Sequence, residues 1–168
     1  MVQGSIPCWG ALIFAVVFID LKNAYDKVIH QRLFHKLLLQ GISKEIVNTI
    51  KLLYSKAKLK ISSNSQYINV NNGVLQGSLI SPILFNLYLN DLVIEINKKA
   101  FEILAYADDL CILCRDRCEL ERIFKVIDNW TKLNGIMVNK NKIGIFVIQG
   151  KEHDNYIDNY PVIEEYKF

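Results

Sequence analysis

The chain has 168 residues, of which 51% are hydrophobic and 22% are charged. This composition suits one globular domain and is too apolar for an intrinsically disordered protein. The formal net charge of +3 is too small to indicate a binding partner, although residues 1–60 carry nine basic and only three acidic residues. A basic first third is compatible with a polyanionic partner, and equally with an ordinary solvated helix surface.

Neither a membrane span nor a secretion signal is visible in the sequence. The longest apolar run, Ala11 to Ile19, has nine residues, whereas a membrane helix needs about 20. The first ten residues contain no basic residue, which argues against a signal peptide. The sequence therefore predicts a soluble, intracellular protein that does not associate with membranes.

Three of the four cysteines, Cys111, Cys114 and Cys118, lie within eight residues of one another, and the fourth is Cys8. This spacing is too close for a disulfide framework. A zinc site would require a fourth ligand, and no histidine lies nearby in the sequence. We expect free thiols at these three positions.

The first 71 residues predict a strand, two helices and a hairpin. Gly41 is suited to end the first helix, and Ser43 to cap the second. Ile46, Val47, Ile50, Leu53 and Tyr54 would form the apolar face of the second helix. The elements are a strand at 12–19 that ends at Asp20, helices at 27–40 and from Ser43, and a hairpin of 57–62 with 66–71 around residues 63–65.

The second half alternates helices with further hairpins. Ser81 followed by Pro82 is a strong helix start, and Gly135 is suited to end a later helix. The predicted elements are a loop at 73–78, a helix to about Asn97, strands at 101–106 and 110–114, a helix at 117–134, and strands at 136–138 and 143–148. Because hairpins require antiparallel pairing, the fold class is α+β.

Carboxylates stand where two strongly apolar strands stop. Asp20 follows the first strand, and Asp108 and Asp109 lie between two later strands. An unpaired buried carboxylate costs several kcal/mol, so such a cluster favours a bound cation. Mg²⁺ prefers carboxylate oxygens and substrate phosphates, and two such ions serve phosphoryl transfer. An Asp-Asp pair taken alone is more often simply a turn.

Four segments resemble the motifs of reverse transcriptases, in the order found in that family. Tyr106 to Asp109 looks like the YADD box, and Phe18 to Val28 resembles the first catalytic motif. Residues 75–92 are similar to the Gln-Gly loop and the helix behind it, and Gly135 to Lys142 resembles the following motif, with its Asn and Lys at Asn139 and Lys142. The resemblance implies a polymerase palm, which is a small antiparallel sheet backed by helices.

The resemblance also assigns roles to single residues. Asp20, Asp108 and Asp109 match the catalytic, metal-binding carboxylates. Tyr25 matches the aromatic residue beneath the sugar of the incoming nucleotide, whereas a helix-start core residue is the ordinary reading of such a tyrosine. The remaining matches are Gln76 and Gly77, in a loop that approaches template and nucleotide, and Lys142, near the triphosphate. Asp26 is expected to cap the helix that begins near Lys27.

The implied cofactors are two Mg²⁺ ions, which Mn²⁺ could replace, and the implied partners are an RNA template, a DNA primer or target, and deoxynucleoside triphosphates. The motif wording is closest to non-LTR (LINE-type) retrotransposon enzymes, which would act in the cytoplasm and nucleus. Group II intron or retron enzymes, or an inactive remnant that binds nucleic acid, are the alternatives.

The resemblance places a partial palm in residues 1–150 and leaves 151–168 as an acidic, poorly ordered end. Most of the fingers and the thumb of a right-hand polymerase would have no counterpart in this stretch. We therefore expect a fragment of a retrotransposon protein, with little or no activity by itself.

Overall fold

A computed structural model of the chain describes residues 14–60, 66–98, 102–149, 156–157, 160–161 and 163. The predicted hairpin tip at 63–65 and Cys8 lie outside these residues. Within the described part of the chain, no helix is both long and apolar enough to cross a membrane.

The main sheet is built around β1 (Phe14–Lys22), which is antiparallel to all of its partners. On one side of β1 lies β5 (Asp109–Cys114), which in turn pairs with β4 (Glu102–Tyr106). On the other side, β6 (Met137–Val138) pairs with the end of β1 and β7 (Gly144–Gln149) with its beginning. The predicted strands are therefore present, and they form one five-stranded sheet.

One face of this sheet is buried and the other is more open. Side chains alternate between the two faces of a strand, and the hydrophobic sequence follows that alternation. The buried set on β1 and β5 comprises Ala15, Val17, Ile19, Leu21, Leu110, Ile112 and Cys114. The opposite face carries Asp20 and Asp109, so the carboxylates lie on the side away from this core.

Five helices accompany the sheet in the described part of the chain, and three of them, α2, α4 and α5, pack against one another in series. Each of these three helices contributes buried residues to the same core as the sheet; α2 and α5 are amphipathic, whereas α4 is apolar over most of its surface. Their bounds are α1 Ala24–Lys27, α2 His30–Leu39, α3 Lys44–Lys56, α4 Ser81–Asn97 and α5 Arg117–Asn134.

The helix predicted at 27–40 begins only at His30, and the short helix α1 precedes it, with a break at residues 28–29. Ile29 forms an isolated β-bridge with Asn72, and the Val28 carbonyl accepts a hydrogen bond from the Gly73 N–H at 2.8 Å. These contacts with a distant loop take the backbone groups that a continuous helix would use. The predicted end is confirmed, because α2 stops at Leu39 and Gly41 has a φ of 83°.

The helix caps were predicted with mixed success. Ser43 caps α3 by accepting a hydrogen bond from the Ile46 N–H, as expected. Ser81 does not cap α4, because it is the first helical residue and its hydroxyl donates to the Leu75 carbonyl at 2.6 Å. The Ser81 side chain therefore ties the preceding loop to the helix. In α3, Val47 and Tyr54 are buried, whereas Ile46 and Leu53 are exposed, contrary to expectation.

A buried cation joins α2, α4 and α5. The Lys36 side chain is 11% exposed, and its Nζ donates to the Tyr88 carbonyl at 2.7 Å and to Asp91 Oδ1 at 2.9 Å. The Trp130 indole N–H donates to the same Asp91 oxygen at 2.8 Å. Burial lowers the pKa of Lys36, and the bond to Asp91 opposes that shift. Asp91 is therefore the counter-ion that permits a lysine in this core.

Two small antiparallel pairs complete the fold. They are β2 (Lys58–Leu59) with β3 (Ile68–Asn69), within the predicted hairpin, and β8 (Tyr156–Ile157) with β9 (Tyr160–Pro161). The Ile163 N–H donates to the Ile145 carbonyl at 2.9 Å. The rest of the acidic end, 151–168, lies outside the described residues.

The cysteines differ from one another in state. Cys111 and Cys114 are free thiols, as expected. Cys118 is disulfide-bonded, so the prediction of a free thiol there is wrong. The close spacing of the three cysteines argued against a disulfide framework, but it does not exclude a single disulfide.

Candidate functional site

Asp20 and Asp109 face each other across two neighbouring strands. The register of β1 and β5 pairs Asp20 with Asp109 directly, and the Leu21 N–H donates to the Asp108 carbonyl at 3.1 Å. The sequence predicted that this strand ends at Asp20, whereas in the structure it continues to Lys22. The structure thus brings Asp20 beside the turn that carries Asp108 and Asp109.

That turn is short and strained. β4 ends at Tyr106 and β5 begins at Asp109, so only Ala107 and Asp108 connect them. Ala107 has a φ of 54°, and a left-handed conformation costs an L-residue about 1–2 kcal/mol. Strain of this kind is frequent at functional sites, where the surrounding structure maintains it.

Asp20 is the most buried of the three carboxylates, at 8% exposure, and both of its oxygens have partners. Asn139 Nδ2 donates to Oδ2 at 2.9 Å, and Lys142 Nζ lies 3.1 Å from Oδ1. A buried carboxylate is tolerated when donors replace its hydration. Both donors come from the segment after β6, which includes the 3₁₀ turn Lys140–Lys142.

The three carboxylates interact electrostatically. The pKa of Asp109 is raised, first by burial and then by the negative charges of Asp108 and Asp20, while Lys142 opposes the shift. Like charges placed close together disfavour ionisation in this way. A cation at this edge of the sheet would relieve that repulsion.

The chemistry of this donor set fits a hard divalent cation, because carboxylate oxygens are the ligands that Mg²⁺ prefers. Within the described residues, however, no three His, Cys, Asp or Glu side chains are already placed to hold a metal. The strand register nevertheless places Asp20 and Asp109 directly opposite each other on neighbouring strands.

Tyr25 lies beside this carboxylate cluster. Its ring stacks on Phe85 of α4, with centroids 4.6 Å apart and planes 19° from parallel. The pKa of Tyr25 is raised by burial first, then by the charge of Asp108 and by Tyr106. The partly buried ring is therefore supported by Phe85 and influenced by the charge of the turn that carries Asp108.

The loop that carries Gln76 and Gly77 is fastened to the segment around Tyr25. The Val74 N–H donates to the Tyr25 carbonyl at 2.8 Å, and Gln76 Nε2 donates to Asp26 Oδ1 at 3.0 Å. The prediction that Asp26 caps a helix is therefore wrong. Asp26 lies within α1, and its side chain binds the loop. Gly77 is exposed, with a φ of 82° and nothing within 4 Å of a Cβ built on it.

Of the residues singled out in the sequence, the structure brings Asp20, Asp108, Asp109, Tyr25 and Lys142 together. Gln76 and Gly77 are attached to the same region through Asp26. Sequence reasoning assigned no role to Phe85 or Asn139, although both belong to the quoted motifs. The motifs include both residues, but the sequence does not show that Phe85 contacts Tyr25 or that Asn139 contacts Asp20.

Comparison with known families gives one match that covers most of the chain. The model for "Reverse transcriptase (RNA-dependent DNA polymerase)" matches residues 14–161. Among curated proteins, a Retrovirus-related Pol polyprotein from type-1 retrotransposable element R2 of Popillia japonica is 29% identical over 143 residues. That alignment covers 77% of this chain and 20% of the relative. A Probable RNA-directed DNA polymerase from transposon X-element of Drosophila melanogaster is 28% identical, over 75% of this chain and 15% of the relative.

Solved structures of telomerase are similar in fold. Apo telomerase from Candida tropicalis, truncated from its C-terminal domain, has a TM-score of 0.67 at 19% identity, covering 87% of this chain and 32% of that one. Telomerase from the same organism in complex with a fragment of telomeric RNA has a TM-score of 0.68 at 17% identity. The present chain thus spans about a fifth of the first relative and a third of the first telomerase chain.

Proposed function

Because the chain belongs to the reverse transcriptase (RNA-dependent DNA polymerase) family, we propose that it forms the catalytic palm for RNA-templated addition of deoxynucleotides to a DNA 3′ end. The domain is of the non-LTR retrotransposon type, and its fold is the α+β palm that the sequence predicted. We assign the palm to residues 1–150, followed by an acidic C-terminal end at 151–168.

The observation that carries this proposal is the direct pairing of Asp20 with Asp109 beside Asp108. These three carboxylates would hold two Mg²⁺ ions, and Mn²⁺ could replace them. Bound there, such ions supply the charge that activates a primer 3′-hydroxyl and stabilises the leaving pyrophosphate oxygen. The segment after β6 contributes rigidity, since its Asn139 and Lys142 side chains hold Asp20 before any cation binds.

The remaining residues would bind and orient substrates. Tyr25 would form the floor beneath the sugar of a deoxynucleoside triphosphate, because Phe85 supports its ring. Gln76 and Gly77 would lie along the RNA template and the nucleotide, where the absence of a side chain at Gly77 permits close approach. Lys142 would contact the triphosphate, and a DNA primer would end near Asp108.

A chimera provides the test of this function. Residues 14–161 would replace the matching segment of the Popillia japonica R2 polyprotein, and RNA-templated DNA synthesis from a DNA primer would be measured with Mg²⁺. We expect synthesis, and we expect Asp20→Asn to reduce it by about 1,000-fold or more, because several kcal/mol of charge stabilisation is lost. The matched control is Asp128→Asn, since Asp128 is an exposed carboxylate paired with Lys132 on α5.

A folded chimera that binds the primer–template and yet makes no DNA would contradict the proposal. It would support the alternative of an inactive remnant that binds nucleic acid. Synthesis that survives Asp20→Asn would show that the activity does not arise from this carboxylate cluster.

A further inference from the structure

Two side chains of one short segment hold opposite oxygens of the Asp20 carboxylate. Asn139 Nδ2 donates to Oδ2 at 2.9 Å, and the Lys142 ammonium lies 3.1 Å from Oδ1. The segment is fixed to the same residue by its backbone, because the Asn139 N–H donates to the Asp20 carbonyl at 2.8 Å. Within the segment, the Lys142 N–H donates to the Asn139 carbonyl at 2.9 Å.

The two contacts have opposite consequences for a cation that approaches Asp20. The Asn139 amide is neutral, so it orients the carboxylate without competing for its charge. The Lys142 ammonium is a cation on the oxygen that Asn139 leaves available, and two cations on one carboxylate repel each other. Lys142 is also the more exposed of the two donors, because its side chain is 56% exposed whereas Asn139 is only partly exposed. The contact of Lys142 with Asp20 is therefore easier to displace than the contact of Asn139.

We infer that Asn139 is a positioning residue, which holds Asp20 ready for a divalent cation, whereas Lys142 is a counter-ion that the cation displaces. This inference rests on the proposed function, since it concerns the same carboxylate. Its consequence is a coupling: a cation held by Asp20 would release the Lys142 ammonium from that carboxylate and leave it available to the triphosphate that the proposed function assigns to it. Asn139 keeps Asp20 and the segment in place during that exchange.

Metal affinity tests the inference without requiring polymerase activity. MnCl₂ would be titrated into the 168-residue chain, and the free Mn²⁺ would be measured by electron paramagnetic resonance. We expect Asn139→Ala to weaken binding by roughly 10-fold, as is typical when a side chain that orients a ligand is lost. We expect Lys142→Met to strengthen binding by up to about 5-fold, since the displaced ion pair is half exposed and weak.

The opposite signs distinguish this inference from a merely structural role, which would weaken binding in both variants. Matched controls lie in the same segment: Asn141→Ala and Lys140→Met alter exposed residues and should leave Mn²⁺ affinity unchanged. Circular dichroism would verify that each variant is folded. If Asp20→Asn lowers the Mn²⁺ affinity but the Asn139 and Lys142 variants bind as the unaltered chain does, this inference is wrong, whereas the metal site of the proposed function stands. Affinity that is unchanged by Asp20→Asn overturns the metal site of the proposed function as well.

A second measurement uses the unaltered chain. Lysines would be acetylated with a limiting reagent, with and without MgCl₂, and the modified peptides quantified by mass spectrometry. Displacement from Asp20 predicts that the acetylation rate of Lys142 rises about 2-fold or more with Mg²⁺, because pairing with a carboxylate protects an amine. Lys140 serves as the internal control and should not change. An equal effect of Mg²⁺ on both lysines would contradict the displacement.

Discussion

Asp20 and Asp109 are directly opposite one another in the antiparallel register of β1 and β5. A slip of one residue would send either side chain to the other face of the sheet, so this register decides whether the carboxylates meet. The alternation of buried residues maintains it, because Ile19, Leu21 and Leu110 must all face the core. The hydrophobic pattern of two strands thus places two charged side chains together.

The isolated 168-residue chain should extend a primer poorly. Phosphoryl transfer depends mainly on positioning and charge stabilisation, and the chain covers only 20% of its R2 relative. We expect about 100-fold less product per mole from the chain than from the chimera, because the rest of the R2 polyprotein would supply further contacts that orient the substrates. Primer extension with equal enzyme concentrations measures this. Comparable rates would show that the palm orients both substrates by itself.

Tyr25→Val should weaken discrimination against ribonucleotides in the chimera. Removing the ring that stacks on Phe85 opens space where a 2′-hydroxyl would otherwise be excluded by shape. The ratio of kcat/KM for deoxyribonucleotide to that for ribonucleotide should fall by about 10-fold, a loss of roughly 1.4 kcal/mol. Tyr25→Phe keeps the ring and should preserve the ratio. An unchanged ratio in the Val variant would reduce Tyr25 to a packing residue.

Gly73→Ala should destabilise the protein more than Gly41→Ala. Both glycines have a positive φ, 86° and 83°. A Cβ at Gly73 would lie 3.0 Å from Asp26 Cα and 3.1 Å from two carbonyl oxygens, whereas a Cβ at Gly41 would meet nothing within 4 Å. We expect a decrease in the free energy of unfolding of about 1 kcal/mol at Gly41 and about 2–3 kcal/mol at Gly73, where a clash adds to the strain. Urea unfolding would compare them, and equal losses would exclude close packing as the reason for Gly73.

Asp91→Ala should destabilise the helix layer. It leaves the buried Lys36 ammonium without its counter-ion and the Trp130 indole without its acceptor. Since the Asp91 side chain is half exposed, we expect a loss of about 2 kcal/mol in the free energy of unfolding, below the range for fully buried pairs. Asp128→Ala removes an exposed pair with Lys132 and should cost under about 0.5 kcal/mol. The same urea midpoint for both variants would show that the Lys36–Asp91 pair contributes no more to stability than the exposed Asp128–Lys132 pair.

Cys114 should be much less reactive than Cys111. Burial, then Glu119 and Asp116, raises the pKa of Cys114 to about 12, whereas burial alone raises the pKa of Cys111. Because the thiolate is the nucleophile, iodoacetamide at mildly alkaline pH should label Cys111 first in the folded chain and both thiols in urea. Peptide mass spectrometry measures the labelling. Equal labelling of the two thiols in the folded chain would contradict this order.

The same shift has a consequence for stability. The unfolded thiol of Cys114 loses its proton near a pKa of 9, while the folded one keeps it up to about 12. The unfolded state therefore binds fewer protons between these values, and the free energy of unfolding should fall as the pH rises through this window. Cys114→Ala should reduce that pH dependence when both proteins are unfolded in urea at a series of pH values. A variant with the same pH dependence as the wild type would contradict the assignment to Cys114.

Local patterns were sufficient wherever the determining contacts are local. The helix at 117–134 was predicted with its correct bounds, because its apolar periodicity and the glycine at Gly135 both lie within the segment. The same holds for Ser43 as a cap. The predictions of Asp26 and Ser81 as helix caps were wrong, because both side chains bind the loop at residues 75–76 instead. This loop is about fifty residues from Asp26 in the sequence, and it lies just before the helix that begins at Ser81.

The sequence by itself determined the α+β class, the order of the elements and the carboxylates on which the proposal depends. Each of these follows from a pattern within a few consecutive residues, or from motifs in a fixed order. Only the tertiary structure decided that Asp109, rather than Asp108, lies opposite Asp20, and that Asn139 and Lys142 hold the two oxygens of Asp20. These contacts join residues more than a hundred positions apart in two cases, and their geometry depends on how the sheet aligns its strands. Strand register is a property of the packed core as a whole, which no single segment specifies.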